Sequence, residues 1–206
     1  ASAPPAIGAA LTAQPIDQVT LTASALPPRP TDVTPAASPT AALGAARAAY
    51  LDAQPEACLA AVATLDVGAL LAAGQREAAA RLLVLQTACQ FDDAPAIARA
   101  TADAIAIADL ELPAEVGSIK PPVERLLDDA RQALGARPLV PLAVTSTPTG
   151  AALALDGKLA GCTTPCTLRV RPGDHVVVAA LDGYDRSVAT AAADGTAGVT
   201  LALVAA

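Results

Sequence analysis

The spacing of apolar residues changes twice along this chain. Residues 1–37 show no helical period, a spacing near 3.6 residues runs through 38–137, and alternation dominates 138–206. A period of 3.6 is typical of amphipathic helices, and a period of 2 is typical of half-buried strands. The pattern predicts an α+β multidomain chain with an N-terminal extended segment, a small all-α domain of helical hairpins, and a C-terminal antiparallel β-sandwich.

The N-terminal segment is rich in proline and poor in charge. Residues 1–39 hold eight prolines, and their charged residues are Asp17, Arg29 and Asp32. Proline disfavours helix, so most of this segment is expected to be extended or polyproline-like. One stretch alternates and is rich in β-formers, namely Val19, Thr20, Leu21, Thr22 and Ala23. It is either part of a flexible spacer or a strand that adds to a sheet edge of its own or a neighbouring chain.

Prolines and capping residues divide the second region into about five short helices. Pro39, Pro55 and Pro121 suit first helical positions, where the missing N–H has no consequence. Asp92 or Asp93 is expected to cap a helix on which Ile97, Thr101, Ile105 and Ala108 keep helical spacing. Short connections predict antiparallel helical hairpins.

Glycines are expected to interrupt this helical region. Gly68 and Gly74 should loosen the chain before a helix over 75–89, and Gly135 suits a C-terminal cap of the last helix. A concave helical surface carrying Arg47, Arg76, Arg81 or Arg99 could receive an acidic partner.

Turn signals interrupt the alternation of the last region at even intervals. They are Asp156-Gly157, Arg171-Pro172-Gly173-Asp174, Asp182-Gly183 and Asp194-Gly195. Such spacing indicates roughly five to seven short strands in a small sandwich or barrel.

The same region resembles a PEGA domain. The resemblance is carried by residues 144–151, Leu155-Asp156-Gly157, Gly161, Thr164-Pro165, 171–175 and Gly183-Tyr184. It implies a small β-sandwich of bacterial and archaeal envelope and surface proteins, without catalysis. Residues 38–135 more loosely resemble a tetratricopeptide-like region, although no clean 34-residue repeat is present.

Residue chemistry gives the motif positions separate roles. Gly157, Gly173 and Gly183 stand where turns favour positive φ, and Pro172 fixes the turn before a strand. Tyr184 is the one large aromatic of the module and is expected to anchor its core. Pro165 lies in a Thr-Thr-Pro loop between two cysteines, and His175 is expected to have a structural role.

The four cysteines form two sequence pairs that predict disulfides. The pairing within each region joins Cys58 to Cys89 and Cys162 to Cys166, and an exported protein favours it. Zinc is the alternative, but Cys-x3-Cys without a second local pair is a poor zinc pattern. The chain has no Met and begins Ala1-Ser2-Ala3, which indicates removal of a signal peptide and a periplasmic or cell-surface location.

Composition and charge exclude several function classes. The formal net charge is −7, and Lys120 and Lys158 are the lysines, so nucleic acid is not expected as a partner. No apolar stretch is long enough to predict a membrane span. His175 follows Pro172-Gly173-Asp174 at a strand start, where a structural role is expected. Asp92-Asp93 and Asp128-Asp129 are explained by helix capping and solvation. No catalytic residue, metal site or cofactor is therefore predicted.

Three hypotheses about function remain open. The first is a structural subunit of a surface or envelope filament or lattice, linked through residues 1–37 by self-assembly. The second is a periplasmic adaptor whose helices bind a protein partner. The third is a carbohydrate-binding module that uses the loop between Cys162 and Cys166.

Overall fold

The computed structural model describes residues 39–114, 119–196 and 198–206, and these form an α+β chain of six helices followed by seven strands. The predicted strand over 19–23 lies outside the described residues. The helices are α1 (Pro39–Leu51), α2 (Pro55–Val62), α3 (Val67–Ala72), α4 (Arg76–Gln90), α5 (Pro95–Ile107) and α6 (Pro121–Gly135). The strands are β1 (Val140–Thr147), β2 (Ala152–Leu155), β3 (Lys158–Thr163), β4 (Cys166–Val170), β5 (Gly173–Ala180), β6 (Ser187–Ala193) and β7 (Gly198–Ala202).

Prolines begin most of the helices, as the sequence predicts. Helices α1, α2 and α6 start at Pro39, Pro55 and Pro121, and α5 starts at Pro95. The prediction missed α3, which lies where glycines were expected to loosen the chain. Asp66 stabilises its first turn, because the Asp66 Oδ1 atom accepts a hydrogen bond from the Ala69 N–H at 3.0 Å.

Two predicted helix caps are wrong. Ala94 precedes α5 without a side-chain cap, and Asp92 instead forms a 2.6 Å salt bridge with Lys120. The hydrogen bond and charge of Asp92 raise the pKa of exposed Lys120. Gly135 is the last residue of α6 rather than a left-handed cap. The next residue, Ala136, keeps helical φ and ψ angles, and its N–H donates to the Gln132 carbonyl oxygen.

The buried face of α5 also differs from the prediction. Ile105 and Ala108 are buried as their helical spacing predicts, but Ile97 is 55% exposed, and the helix buries Ala98 and Ala102 in its place. Alanine on that face allows close approach of the neighbouring helices, α4 and α6.

The strands form two sheets, with orders β4-β1-β7 and β3-β2-β5-β6. Antiparallel pairing is correct for β1 with β4, β2 with β3, β2 with β5, and β5 with β6. The prediction of wholly antiparallel sheets is wrong at one edge, where β7 runs parallel to β1 with Val144 opposite Val199. Alternation in a sequence tells which face a residue occupies but not the direction of its strand.

Strand β5 contributes to both hydrophobic clusters of the described residues. Val177 and Ala179 pack in a cluster shared by the two sheets, with Leu142, Leu153 and Leu201. Val176 and Val178 point the other way and join a cluster built mainly from the helices. A strand covered on both faces becomes a continuous apolar run, as Val176-Val177-Val178-Ala179 does. Strand β5 therefore holds the helices against the sheets.

Both predicted disulfides form. Cys58 and Cys89 join α2 to α4 inside the helical cluster, and Cys162 and Cys166 join the end of β3 to the start of β4. No helix in the described ranges has the length and apolar character needed to cross a bilayer.

Candidate functional site

A buried carboxylate lies where β2 turns into β3. Asp156 and Gly157 form this turn with φ angles of 47° and 76°, and Asp156 is only 3% exposed. The Asp156 Oδ1 atom accepts a 2.8 Å hydrogen bond from the Val176 N–H, and Oδ2 lies 2.6 Å from His175 Nδ1. The carboxylate thus joins the turn to the start of β5.

His175 lies between two hydrogen-bond acceptors. Its Nε2 atom lies 2.8 Å from the Arg171 carbonyl oxygen, which can only accept, so Nε2 carries a proton. Its Nδ1 atom lies 2.6 Å from the Asp156 carboxylate and donates to it when the ring is protonated. Burial lowers the pKa of His175, but the hydrogen bonds to Asp156 and the Arg171 carbonyl, together with the charges of Asp156 and Asp174, outweigh burial, and the pKa lies above its ordinary value. Although Asp174 is adjacent in sequence, the carboxylate bonded to the ring is that of Asp156, 19 residues earlier.

Arg76 connects this turn to the end of helix α5. Its guanidinium donates to the Asp156 carbonyl at 2.5 Å, to the Asp109 carbonyl at 2.6 Å and to the Ala108 carbonyl at 3.3 Å. The expectation that Arg76 presents its charge to a partner is therefore wrong. Carbonyls at a helix C-terminus lack intrahelical donors and carry partial negative charge, which explains why an arginine binds there.

Two further arginines donate to main-chain carbonyls in the last turn of a helix or just after it. Arg171 donates to the Leu134 carbonyl of α6 at 3.1 Å and lies 3.8 Å from the Asp109 carboxylate, and Arg131 donates to the Leu110 carbonyl. We call the set Arg76, Asp109, Asp156, Arg171 and His175 the junction. These groups line or adjoin a cleft of about 1090 Å³ between the helices and the sheets.

Glycines allow the close approach at the junction. A Cβ on Gly157 would lie 2.9 Å from the Leu71 carbonyl oxygen, and one on Gly173 would lie 2.5 Å from Ile107 Cδ1. Both glycines also have positive φ. The sequence predicts turns at Gly157 and Gly173, but it does not predict that these turns contact the helices.

A second depression, which we call the groove, opens between α1 and α4. It has a volume of about 460 Å³, and its described lining is Pro39, Thr40, Leu43, Gly44, Arg47, Tyr50, Gln75, Ala78, Arg81, Val84, Leu85, Pro113 and Ile119. The charged residues among these are both arginines, in a chain whose net charge is −7. Tyr50 fixes one rim, because its hydroxyl accepts a 3.0 Å hydrogen bond from the Lys120 N–H.

The predicted arginine surface is divided by these contacts. Arg47 and Arg81 line the groove, whereas Arg76 belongs to the junction. Arg81 also forms a 2.8 Å salt bridge with Glu77, and Arg99 forms one with Asp103 at 2.9 Å. Among the four predicted arginines, Arg47 therefore lines the groove with no ion pair to another described residue.

The loop between Cys162 and Cys166 directs its central hydroxyl inward. Thr164 is buried; its Oγ1 atom shares a 2.5 Å hydrogen bond with Ser146 Oγ and accepts one from the Ala151 N–H at 3.0 Å. Thr163 and Pro165 remain exposed. Carbohydrate binding at this loop stays a prediction.

The other motif residues lie along the β-strands and their turns. Pro172 precedes β5, Gly183 has a φ of 80°, and Tyr184 is partly buried against the cluster between the sheets. Asp128 and Asp129 are exposed on α6. Within the described ranges, no group of His, Cys, Asp or Glu side chains is arranged to hold a metal ion.

A comparison with protein-family models matches the sheet region. The model described as the PEGA domain matches residues 139–204, about a third of the chain, which agrees with the resemblance seen in the sequence. The match includes Asp156, Arg171 and His175 but not Arg76 or the groove. No curated protein and no solved structure matches the chain.

Proposed function

We propose that this chain is a non-enzymatic, extracytoplasmic adaptor that binds a protein partner in the groove between α1 and α4. In this proposal the helices form a tetratricopeptide-like domain, and the two sheets form a β-sandwich fixed to it by the junction. The sandwich then serves as the part that docks to the envelope or cell surface, and the helices serve as the recognition part.

An extracytoplasmic location is supported by two features. Disulfides persist in oxidising compartments, and this chain contains two. The PEGA match over residues 139–204 fits the same setting.

A binding role rather than catalysis is supported by how the polar groups of the junction are used. Asp156 and His175 are nearly inaccessible and bind each other and the backbone. General acid–base catalysis needs a group that can reach a substrate proton. Arg76 and Arg171 are likewise bonded to main-chain carbonyls of the chain itself.

The groove is the observation that carries the proposal. It combines apolar side chains such as Leu43 and Leu85 with the cations Arg47 and Arg81 at one concave surface. Apolar contact provides affinity, and a small number of charged groups provides specificity. A protein segment that carries both apolar residues and a carboxylate fits this chemistry.

Crosslinking in cells tests the adaptor function. We expect the full-length protein to capture a different envelope protein, and we expect Arg47→Glu to reduce the yield several-fold by repelling the carboxylate of the partner. The matched control is Arg125→Glu, which changes an exposed arginine on α6 outside the groove. Equal capture by both variants, or recovery of self-crosslinks alone, would refute the proposal.

A further inference from the structure

The first residues that the structure describes lie in the wall of the groove. Pro39 and Thr40 begin α1 and also line the groove, beside Leu43, Gly44 and Arg47. The residues immediately before Pro39 are therefore tethered next to this surface. A short tether gives an effective concentration in the millimolar range, so even a weak contact becomes populated.

The distances along the chain allow the preceding residues to return over the groove. Seven residues separate Asp32 from Pro39 and can span about 23 Å when extended. Arg47 lies eight residues after Pro39 in α1, which corresponds to an axial rise of about 12 Å. A return antiparallel to α1 thus brings Asp32 within reach of Arg47.

The chemistry of residues 30–38 complements the groove. Their sequence is Pro-Thr-Asp-Val-Thr-Pro-Ala-Ala-Ser, in which Asp32 is the one charged residue. The charged residues described in the groove are both cations, and the other lining residues are mostly apolar. Two prolines restrict the free conformations of the segment, which lowers the entropy lost on binding.

We propose that residues 30–38 of the same chain occupy the groove, with the Asp32 carboxylate against the Arg47 guanidinium. This inference rests on the proposed function, because it names what covers the partner site before a partner arrives. A protein partner then has to displace the segment, and its own binding segment carries the same chemistry, a carboxylate among proline and small apolar residues. The segment acts as an internal competitor.

A photo-crosslinking amino acid at Gly44 tests the proposal in the full-length protein. Gly44 lines the groove, and a Cβ built on it meets no atom of the described residues within 4 Å, so a side chain fits without displacing any of them. We expect irradiation of the purified protein to yield a product of monomer mass. Mass spectrometry should locate the crosslink within residues 30–38. The same probe at exposed position 125 should not capture this segment.

Charge reversal tests the pairing within that product. We expect Asp32→Arg and Arg47→Glu each to lower the yield about two- to fivefold, the range for a partly exposed ion pair, and their combination to restore it. Asp17→Arg is the matched control, which reverses an aspartate before residues 30–38, and Arg125→Glu is the control on the helices.

Three results would overturn the proposal: no crosslink to residues 30–38, capture of these residues only from a second copy, or a yield that ignores both charge reversals. The proposed adaptor function is judged separately. If capture of a different protein in cells still depends on Arg47 while the monomer product is absent, the adaptor function stands and self-occupation is wrong. If the monomer product forms but no partner is captured, the reverse holds.

Discussion

The junction and the groove use the same residue type in opposite ways. At the junction, Arg76 and Arg171 donate to main-chain carbonyls, and their charges offset the partial charges of helix ends. In the groove, Arg47 and Arg81 stand beside apolar side chains around an open volume of about 460 Å³. Arginine at the junction therefore contributes to the fold, whereas Arg47 in the groove takes part in recognition under the proposed function. The charge of an arginine does not tell which role it has. The groups that surround its guanidinium do, and these are main-chain carbonyls at the junction and apolar side chains in the groove.

The largest expected effect concerns the disulfide that supports a groove wall. Cys58 and Cys89 close a loop with a sequence separation of 31, against 4 for Cys162 and Cys166. In the chain-entropy model, replacing the first pair by alanine lowers the free energy of unfolding by about 3.7 kcal/mol and replacing the second by about 2 kcal/mol. Urea denaturation of the two double variants measures this difference. A larger loss for the 162–166 pair would show that the sheets, not the helices, depend more on covalent bonding.

The next effect removes the charge at the centre of the junction. Asp156→Asn keeps the shape of the side chain and tolerates positive φ. It removes the buried carboxylate that bonds to both His175 Nδ1 and the Val176 N–H, and an amide has only one oxygen to accept these two hydrogen bonds. We expect the free energy of unfolding to fall by about 3 kcal/mol. The control is Asp182→Asn, which changes an exposed aspartate in another Asp-Gly turn and should be nearly neutral. Similar losses for both variants would contradict the role given to Asp156.

A pair of arginine variants tests the comparison most directly. Arg76→Gln removes hydrogen bonds to three carbonyls and should lower the free energy of unfolding by about 2 kcal/mol. Arg47→Gln should change stability by less than about 0.5 kcal/mol and should instead lower the yield of the crosslink from position 44. Chemical denaturation and photo-crosslinking of both variants provide the two readouts. If the stability losses are equal, the distinction between junction and groove fails.

Several features of this fold can be predicted from the sequence. The proline-initiated helices and the Asp-Gly turns follow from backbone chemistry that acts over a few residues. Both disulfides follow from the even number of cysteines and their distribution between the two regions. The direction of β7 and the short helix α3 were missed, because periodicity does not encode strand direction and six-residue helices give little periodic signal.

The contacts of the junction could not be predicted from the sequence, for a different reason. Its contacts join residues far apart in sequence, such as Arg76 and Asp156, which are 80 residues apart. One signal was present: the apolar run 176–179 is continuous rather than alternating, which indicates a strand covered on both faces. Reading that run correctly predicts that something packs outside the sheets, although not which side chains meet there.

The smallest effect is a pH dependence that separates the junction from the groove. The folded state raises the pKa of His175, so the native protein binds this proton more tightly than the unfolded chain does. The resulting stabilisation is fully present below the unfolded pKa of about 6.5 and is lost as pH rises from there through the folded pKa. Deprotonation leaves the Nδ1 lone pair facing the Asp156 carboxylate, which explains the loss.

The measurement is the free energy of unfolding by urea at several pH values from 6 upwards. We expect the wild type to lose stability over this window and His175→Gln, which cannot titrate, to lack that component while being less stable at pH 6. Arg47→Gln should follow the wild-type profile, because Arg47 lies in the groove and not among the groups that bond to His175. A wild-type profile that rises with pH, or one that His175→Gln reproduces, would contradict a raised pKa of His175 in the folded state. The junction would then depend on Arg76, Arg171 and the backbone contact of the Asp156 carboxylate.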